Sequence, residues 1–172
     1  MSYLINPYMV SASSVTWENL TTDAERDIII NDNYAYAQVV DTSIVSAGNI
    51  TNVQFDLQAG TSSGTLHCCR WDDRATMDTG NGAACLAASN HTYWSIAASA
   101  PNGMTSETVS ASTPCVTDET IGIVVTGGGV TQVTKLRVTN PRVVGFPLMI
   151  HCDVASASQD LDRTATFTIT AG

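Results

Sequence analysis

Apolar and polar residues alternate along several short stretches of this chain. In the clearest case, residues 52–58, Val53, Phe55 and Leu57 alternate with polar side chains. A period of two places the three apolar side chains on one face of an extended strand. Other stretches rich in Val, Ile, Thr and aromatic residues also predict strands: residues 15–20, 26–30, 35–40, 65–71, 93–97, 120–126, 134–139, 145–154 and 165–170. Only residues 83–89, which are mostly small, are compatible with a helical turn, and so the sequence predicts an all-β protein.

Turn signals separate these stretches. Gly60 to Gly64, with Thr and Ser between the glycines, joins residues 52–58 to residues 65–71. A short Gly/Ser connection between two extended runs predicts a β-hairpin. Residues 101–114 form a long polar stretch for which no element is predicted. About eight to ten strands separated by turns predict one jelly-roll or β-sandwich domain over residues 15–172.

Residues 1–14 differ from the rest and predict an extended N-terminal arm. Pro7 disfavours a helix there, and small polar residues follow at positions 11–14. The arm carries four large apolar residues, Tyr3, Leu4, Ile5 and Tyr8. Such an arm packs either on its own domain or on a neighbouring subunit, and the sequence leaves both possibilities open.

The acidic net charge of the chain limits the kinds of binding partner that the sequence predicts. The chain of 172 residues has a formal net charge of −9 and only seven basic residues, and Lys135 is the only lysine. The largest basic grouping is Lys135 with Arg137 and Arg142, which is too small to predict nucleic-acid binding. The N-terminus shows no basic segment followed by an apolar core, and no run of about 20 apolar residues occurs, so we expect neither a signal peptide nor a membrane span.

The five cysteines are odd in number and form no Cys-x-x-Cys pair. Zinc sites need paired ligands at short spacing, so we expect buried free thiols and no metal. If residues 65–71 form a strand, Cys68 and Cys69 point to opposite faces of its sheet.

Residues 71–82 form the most site-like loop. An exposed Trp71 or Trp94 would stack on a sugar ring, and a glycan-binding site with Trp71, Asp72 and Asp73 is one interpretation. Oxygen ligands from Asp72, Asp73, Asp78 and Asn81 also suggest calcium, although their spacing does not match an EF-hand. The simpler alternative is a Trp71 that packs in the core and acids that face water.

The sequence contains few motifs that indicate an enzyme. No Gly-x-Ser-x-Gly elbow occurs, and residues 127–129 lack the lysine of a phosphate loop. Pairs of acids at 72–73, 118–119 and 160/162 leave a glycoside hydrolase as a remote alternative. We therefore expect a non-enzymatic protein without a cofactor.

Four segments carry a resemblance to a known class of protein. Residues 50–57, with Gly60 and residues 64–66, resemble the opening hairpin of jelly-roll accessory modules found in virion and cell-surface proteins. Residues 93–96 and 118–125 are similar to later strands of such modules. Residues 3–8 resemble the N-terminal arms of tailed-bacteriophage structural proteins.

The resemblance implies a tailed-bacteriophage capsid decoration (cement) protein with a jelly-roll fold. Such a protein is made in the host cytoplasm and sits on the outer capsid surface of the virion as a homotrimer. Its implied partners are the major capsid protein and its own copies, with no nucleic acid and no membrane, and the apolar arm residues are the expected anchor. The alternative is a carbohydrate-binding, receptor-binding module of a tail fibre, and five cysteines are more than the resemblance explains.

Overall fold

The structure is a computed structural model that describes residues 14–20, 25–40, 48–60, 63–77, 80–109, 113–114, 119–128, 134–139, 143, 149–153 and 159–172. The strands are β1 (Val15–Asn19), β2 (Glu25–Ile30), β3 (Tyr34–Val40), β4 (Asn49–Gln58), β5 (Thr65–Trp71), β6 (His91–Ala97), β7 (Asn102–Thr105), β8 (Thr113–Pro114), β9 (Glu119–Thr126), β10 (Thr134–Thr139), β11 (Met149–Asp153), β12 (Gln159–Leu161), β13 (Thr164–Ala165) and β14 (Phe167–Ala171). The helices are α1 (Arg74–Met77) and α2 (Gly82–Ala88).

Within the described residues, the strands form two sheets in which every pairing is antiparallel. Sheet A contains β1, β2, β4, β7, β8, β10, β13 and β14, and sheet B follows the order β12-β11-β3-β9-β5-β6. In sheet A, β4 is central, because β14 and β10 pair along one of its edges while β7 and β8 pair along the other. The prediction of an all-β sandwich is confirmed.

The main hydrophobic core lies between the two sheets. Val53, Phe55 and Leu57 of β4 are buried in it, as their alternation predicted. Trp94 of sheet B donates from its indole Nε1 to the carbonyl oxygen of Val53 in sheet A at 2.9 Å. Gln38 makes a similar link, since its side-chain oxygen accepts the backbone N–H of Ala165 at 3.0 Å. These two bonds satisfy buried polar groups and connect the two sheets across the core.

The predicted hairpin between β4 and β5 is wrong. β4 belongs to sheet A and β5 to sheet B, so the Gly/Ser segment crosses from one sheet to the other. Gly64 supports this crossing: a Cβ there would lie 2.7 Å from the backbone nitrogen of Gly128 and 2.7 Å from the carbonyl oxygen of Thr126. Its own carbonyl accepts the N–H of Ala98 at 2.9 Å.

Several boundaries also differ from the prediction. Residues 101–114, expected to lack structure, contain β7 and β8. The last predicted strand is divided, because β13 pairs with β10 whereas β14 pairs with β1 and β4. β11 lies within the strand predicted over residues 145–154, and β12 was not predicted. The predicted arm lies outside the described residues except for Ser14.

Among the described residues, no helix has the length and apolar character needed to cross a lipid bilayer.

Candidate functional site

The loop over residues 71–82, the most site-like part of the sequence, contains α1 and ends at the first residue of α2. Residues 72–90, which we call the helical cover, connect β5 to β6, and α2 packs against β9, β3 and β5. A second, smaller core lies beneath it, on the face of sheet B that points away from sheet A. This core consists of Ala35, Ala37, Cys69, Trp71, Met77, Cys85 and Val124. The helical cover therefore closes an apolar sheet face that would otherwise be exposed.

The start of α2 is held close to the sheet. Gly82 donates its N–H to the carbonyl oxygen of Asp32 at 2.9 Å. A Cβ on Gly82 would lie 2.4 Å from the carbonyl oxygen of Val125 in β9, so only glycine permits this approach. The side chain of Asp32 accepts the N–H of Gly128 at 3.1 Å, which ties the turn after β9 to the same point.

The structure contradicts the interpretation of Trp71 as a sugar-stacking residue. Its side chain is 0% exposed, and its Nε1 donates to the carbonyl oxygen of Cys85 at 2.8 Å. No face of the ring is open to a ligand, because one side rests on sheet B and the helical cover encloses the other. Trp71 is a core residue, as the simpler alternative predicted.

The polar side chains of the same loop serve the helices. One carboxylate oxygen of the exposed Asp73 accepts both the N–H and the hydroxyl of Thr76 at 2.8 Å, and the bond from this N–H lowers the pKa of the Asp73 carboxyl. Asp72 accepts a hydrogen bond from Asn90 at the other end of the helical cover. Asn81 caps α2 by accepting the N–H of Ala84 at 2.9 Å.

These contacts account for the loop polarity that suggested calcium or glycan binding. Asp78, the remaining acid of the calcium interpretation, lies outside the described residues. In the part of the chain that the structure describes, no three His, Cys, Asp or Glu side chains lie together as a metal site.

The predicted burial of Cys68 and Cys69 on opposite faces is confirmed. Cys68 lies in the core between the sheets, and Cys69 lies beneath the helical cover. Burial raises the pKa of the Cys68 thiol well above its usual range and raises the pKa of the Cys69 thiol to about 11. Cys85 is also buried, and its Sγ donates to the carbonyl oxygen of Met77 at 3.3 Å.

We expect these three thiols to resist alkylation in the folded protein. With a pKa of about 11, only about one Cys69 side chain in a thousand is a thiolate at about pH 8, and the protein also blocks access. Peptide-resolved mass spectrometry after iodoacetamide treatment should show Cys68, Cys69 and Cys85 unlabelled in buffer and fully labelled in guanidinium chloride. Rapid labelling of Cys69 or Cys85 in buffer would mean that the helical cover opens readily.

His67 links three neighbouring strands of sheet B. Its Nδ1 lies 2.8 Å from the hydroxyl of Ser95 in β6, and its Nε2 lies 3.0 Å from the hydroxyl of Thr126 in β9. Burial lowers the pKa of this imidazole, which favours the neutral form with one donor and one acceptor nitrogen. Since both partners are hydroxyls on adjacent strands, the contacts tie the strands together.

The predicted anchor residues of the arm, Tyr3, Leu4, Ile5 and Tyr8, lie outside the described residues. Ser14, the first described residue, precedes β1, and within the described residues β1 pairs only with β14. A Cβ on Gly172 would lie 3.3 Å from the Cα of Ser14, so Ser14 and Gly172 are neighbours. The predicted arm is thus joined to the sandwich at an edge of sheet A.

No protein-family model, curated protein or solved structure matches this chain.

Proposed function

We propose that this protein is a phage virion structural protein that decorates the outer capsid surface. It bridges neighbouring major capsid protein subunits and stabilises the shell as a homotrimer. The observation that carries the proposal is the attachment of an apolar segment, with Tyr3, Leu4, Ile5 and Tyr8, to the edge strand of a well-packed sandwich. Within the described residues β1 pairs on one side only, so its other side offers backbone hydrogen-bonding groups to a neighbouring subunit, which the arm that precedes β1 can also contact.

The described part of the protein forms a well-connected sandwich that could hold such an arm in a fixed position. Trp94 and Gln38 connect the two sheets by hydrogen bonds, and the helical cover closes the outer face of sheet B. The net charge of −9 favours solubility and disfavours adhesion to DNA, which fits a protein that works on a DNA-filled particle.

The free energy gained by burying the arm, set against the cost of ordering it, explains why we propose an oligomer. Burying four large apolar side chains stabilises an anchored arm by about 6–12 kcal/mol. Ordering about ten backbone residues costs about 10 kcal/mol or more, so one arm binds weakly. Three arms on one trimer raise the overall affinity through effective concentration, without any stronger individual contact.

Deleting residues 1–10 is expected to leave a folded sandwich that no longer binds particles. Copy number is measured on purified phage particles by quantitative mass spectrometry against the major capsid protein. We expect the wild-type protein at on the order of hundreds of copies per particle, and the shortened protein at less than about a tenth of that number, since avidity is lost with the arm. Circular dichroism of the shortened protein checks that the sandwich is intact.

A matched control tests whether substitutions elsewhere in the segment leave binding intact. Changing Ser11, Ser13 and Ser14 to alanine keeps the arm and its four large apolar side chains, so binding should not change. Unchanged binding after the deletion would contradict the anchoring role of the arm. A few copies per particle would indicate the alternative, a tail-fibre component, and complete absence would overturn the virion assignment.

A further inference from the structure

The outer face of sheet A carries a small polar cavity that the proposed function does not use. Its volume is about 290 Å³, and its lining comes from three adjacent strands, β4, β7 and β10. The lining residues are Asp56, Leu57, Gln58, Asn102, Gly103 and Arg137. Because the Leu57 side chain is buried in the core, the polar side chains and the backbone determine what the cavity binds.

Strand register places complementary groups side by side here. Gln58 lies directly opposite Asn102 of β7 and directly opposite Lys135 of β10, so these three side chains share one face. The Asp56 carboxylate lies 3.4 Å from Nη1 of Arg137 in an ion pair, and the Arg137 side chain is 43% exposed. A guanidinium, a carboxylate and two amides therefore line one cavity, and Lys135 lies beside it on the same face of the sheet.

We propose that this cavity binds a carboxylate-bearing sugar of the uronic acid type. A carboxylate such as Asp56 accepts hydrogen bonds from sugar hydroxyls, and the amides of Gln58 and Asn102 both donate and accept. Arg137, with Lys135 beside it, supplies the cationic side that pairs with a ligand carboxylate.

The size of the cavity favours a single ring over a macromolecular surface. Pockets for drug-sized ligands begin at about 300 Å³, so a volume of about 290 Å³ has room for one sugar unit. Gly103 at the rim has a φ of +73°, and a side chain there would meet no atom within 4 Å, so the rim beside β7 is open. All of the lining residues belong to one chain, so sugar binding requires neither the capsid nor a trimer.

The test is a titration of the full-length ¹⁵N-labelled protein, followed by backbone amide chemical shifts at constant ionic strength. The probes are methyl β-D-glucuronide and the neutral methyl β-D-glucoside. We expect the glucuronide to shift the amides of residues 56–58 and 102–103 and to bind about tenfold more tightly than the glucoside, because a charge-assisted hydrogen bond is lost with the carboxylate. No shifts with either sugar, or equal affinities, would overturn the proposal.

Two variants locate the site. Arg137→Gln is expected to weaken glucuronide binding about tenfold and to leave the weak glucoside binding unchanged, whereas Asn102→Ala weakens both. Arg74→Gln is the matched control, because Arg74 is equally exposed at 43% and is ion-paired to Asp160 at 2.5 Å far from the cavity. Equal effects of Arg74→Gln and Arg137→Gln would overturn the assignment of the site. Shifts of the same size with acetate alone would indicate a general carboxylate contact and would overturn the sugar.

Discussion

Replacing Trp71 with alanine is expected to lower the free energy of unfolding by about 3–5 kcal/mol. The Trp71 side chain is fully buried beneath the helical cover, and its removal leaves a cavity between sheet B and α2. It also leaves the carbonyl oxygen of Cys85 without the indole N–H that it accepts at 2.8 Å. For a protein of this length the loss corresponds to a fall in Tm of roughly 6–20 °C.

Urea unfolding followed by circular dichroism measures this loss, and two phenylalanine variants act as controls. Trp71→Phe keeps most of the volume and removes the hydrogen bond, so we expect a cost of about 1–2 kcal/mol. Trp94→Phe removes the equivalent bond to Val53 in the core between the sheets and should cost a similar amount. If Trp71→Ala costs less than about 1 kcal/mol, the second core does not contribute as described.

The sequence predicts β4 well because only one face of this strand is buried. Val53, Phe55 and Leu57 face the core, while Gln54 and Asp56 on the other face are only partly buried. β5 is different, because Cys68 faces the core between the sheets while Cys69 lies under the helical cover. A strand buried on both faces shows no alternation, so the pattern identifies the strand without identifying its two layers.

Partner strands are set by contacts that a local pattern does not contain. Phe55 of β4 lies opposite Phe167 on one side and Thr105 on the other, at separations of 112 and 50 residues. The Gly/Ser segment separates β4 from β5, but both strands pair with other strands along both edges, which excludes a hairpin between them. β7 has only Met104 as a large apolar residue, and its strand conformation depends on pairing with β4.

Some polar residues have roles that the local sequence predicts, and others have roles that depend on the strand order. The capping roles of Asp73 and Asn81 are local, and an N-cap analysis of the residues before 74 and 82 would have found them. The polar cavity joins Asp56, Asn102 and Arg137, which are distant in sequence and meet only through the strand order of sheet A. The sequence alone therefore indicated the loop over residues 71–82, which is rich in acids. The described polar side chains of this loop stabilise the helical cover.

Gly122 is the position where a single methyl group is expected to have the largest effect. It lies in β9 between Ala37 of β3 and Cys69 of β5, at the centre of sheet B. A Cβ there would lie 2.0 Å from the carbonyl oxygen of Tyr36 and 2.6 Å from the Cα of Ala37. Both are backbone atoms of the neighbouring strand, so relief of the clash requires β3 and β9 to separate.

We expect Gly122→Ala to lower the free energy of unfolding by about 3 kcal/mol or more, and Gly122→Val to prevent folding. Typical domains have about 5–15 kcal/mol in total, so the alanine variant should be detectable as a marginal fold by urea unfolding. Gly127→Ala is the matched control: its φ is +74° and its Cβ would meet no atom within 4 Å, so only backbone strain of about 1 kcal/mol is expected. If both variants cost the same, close packing of β9 on β3 does not limit stability. If Gly122→Ala lowers the free energy of unfolding clearly more than Gly127→Ala does, the pairing of β9 with β3 itself requires a glycine at position 122. The requirement then does not depend on packing against the helical cover.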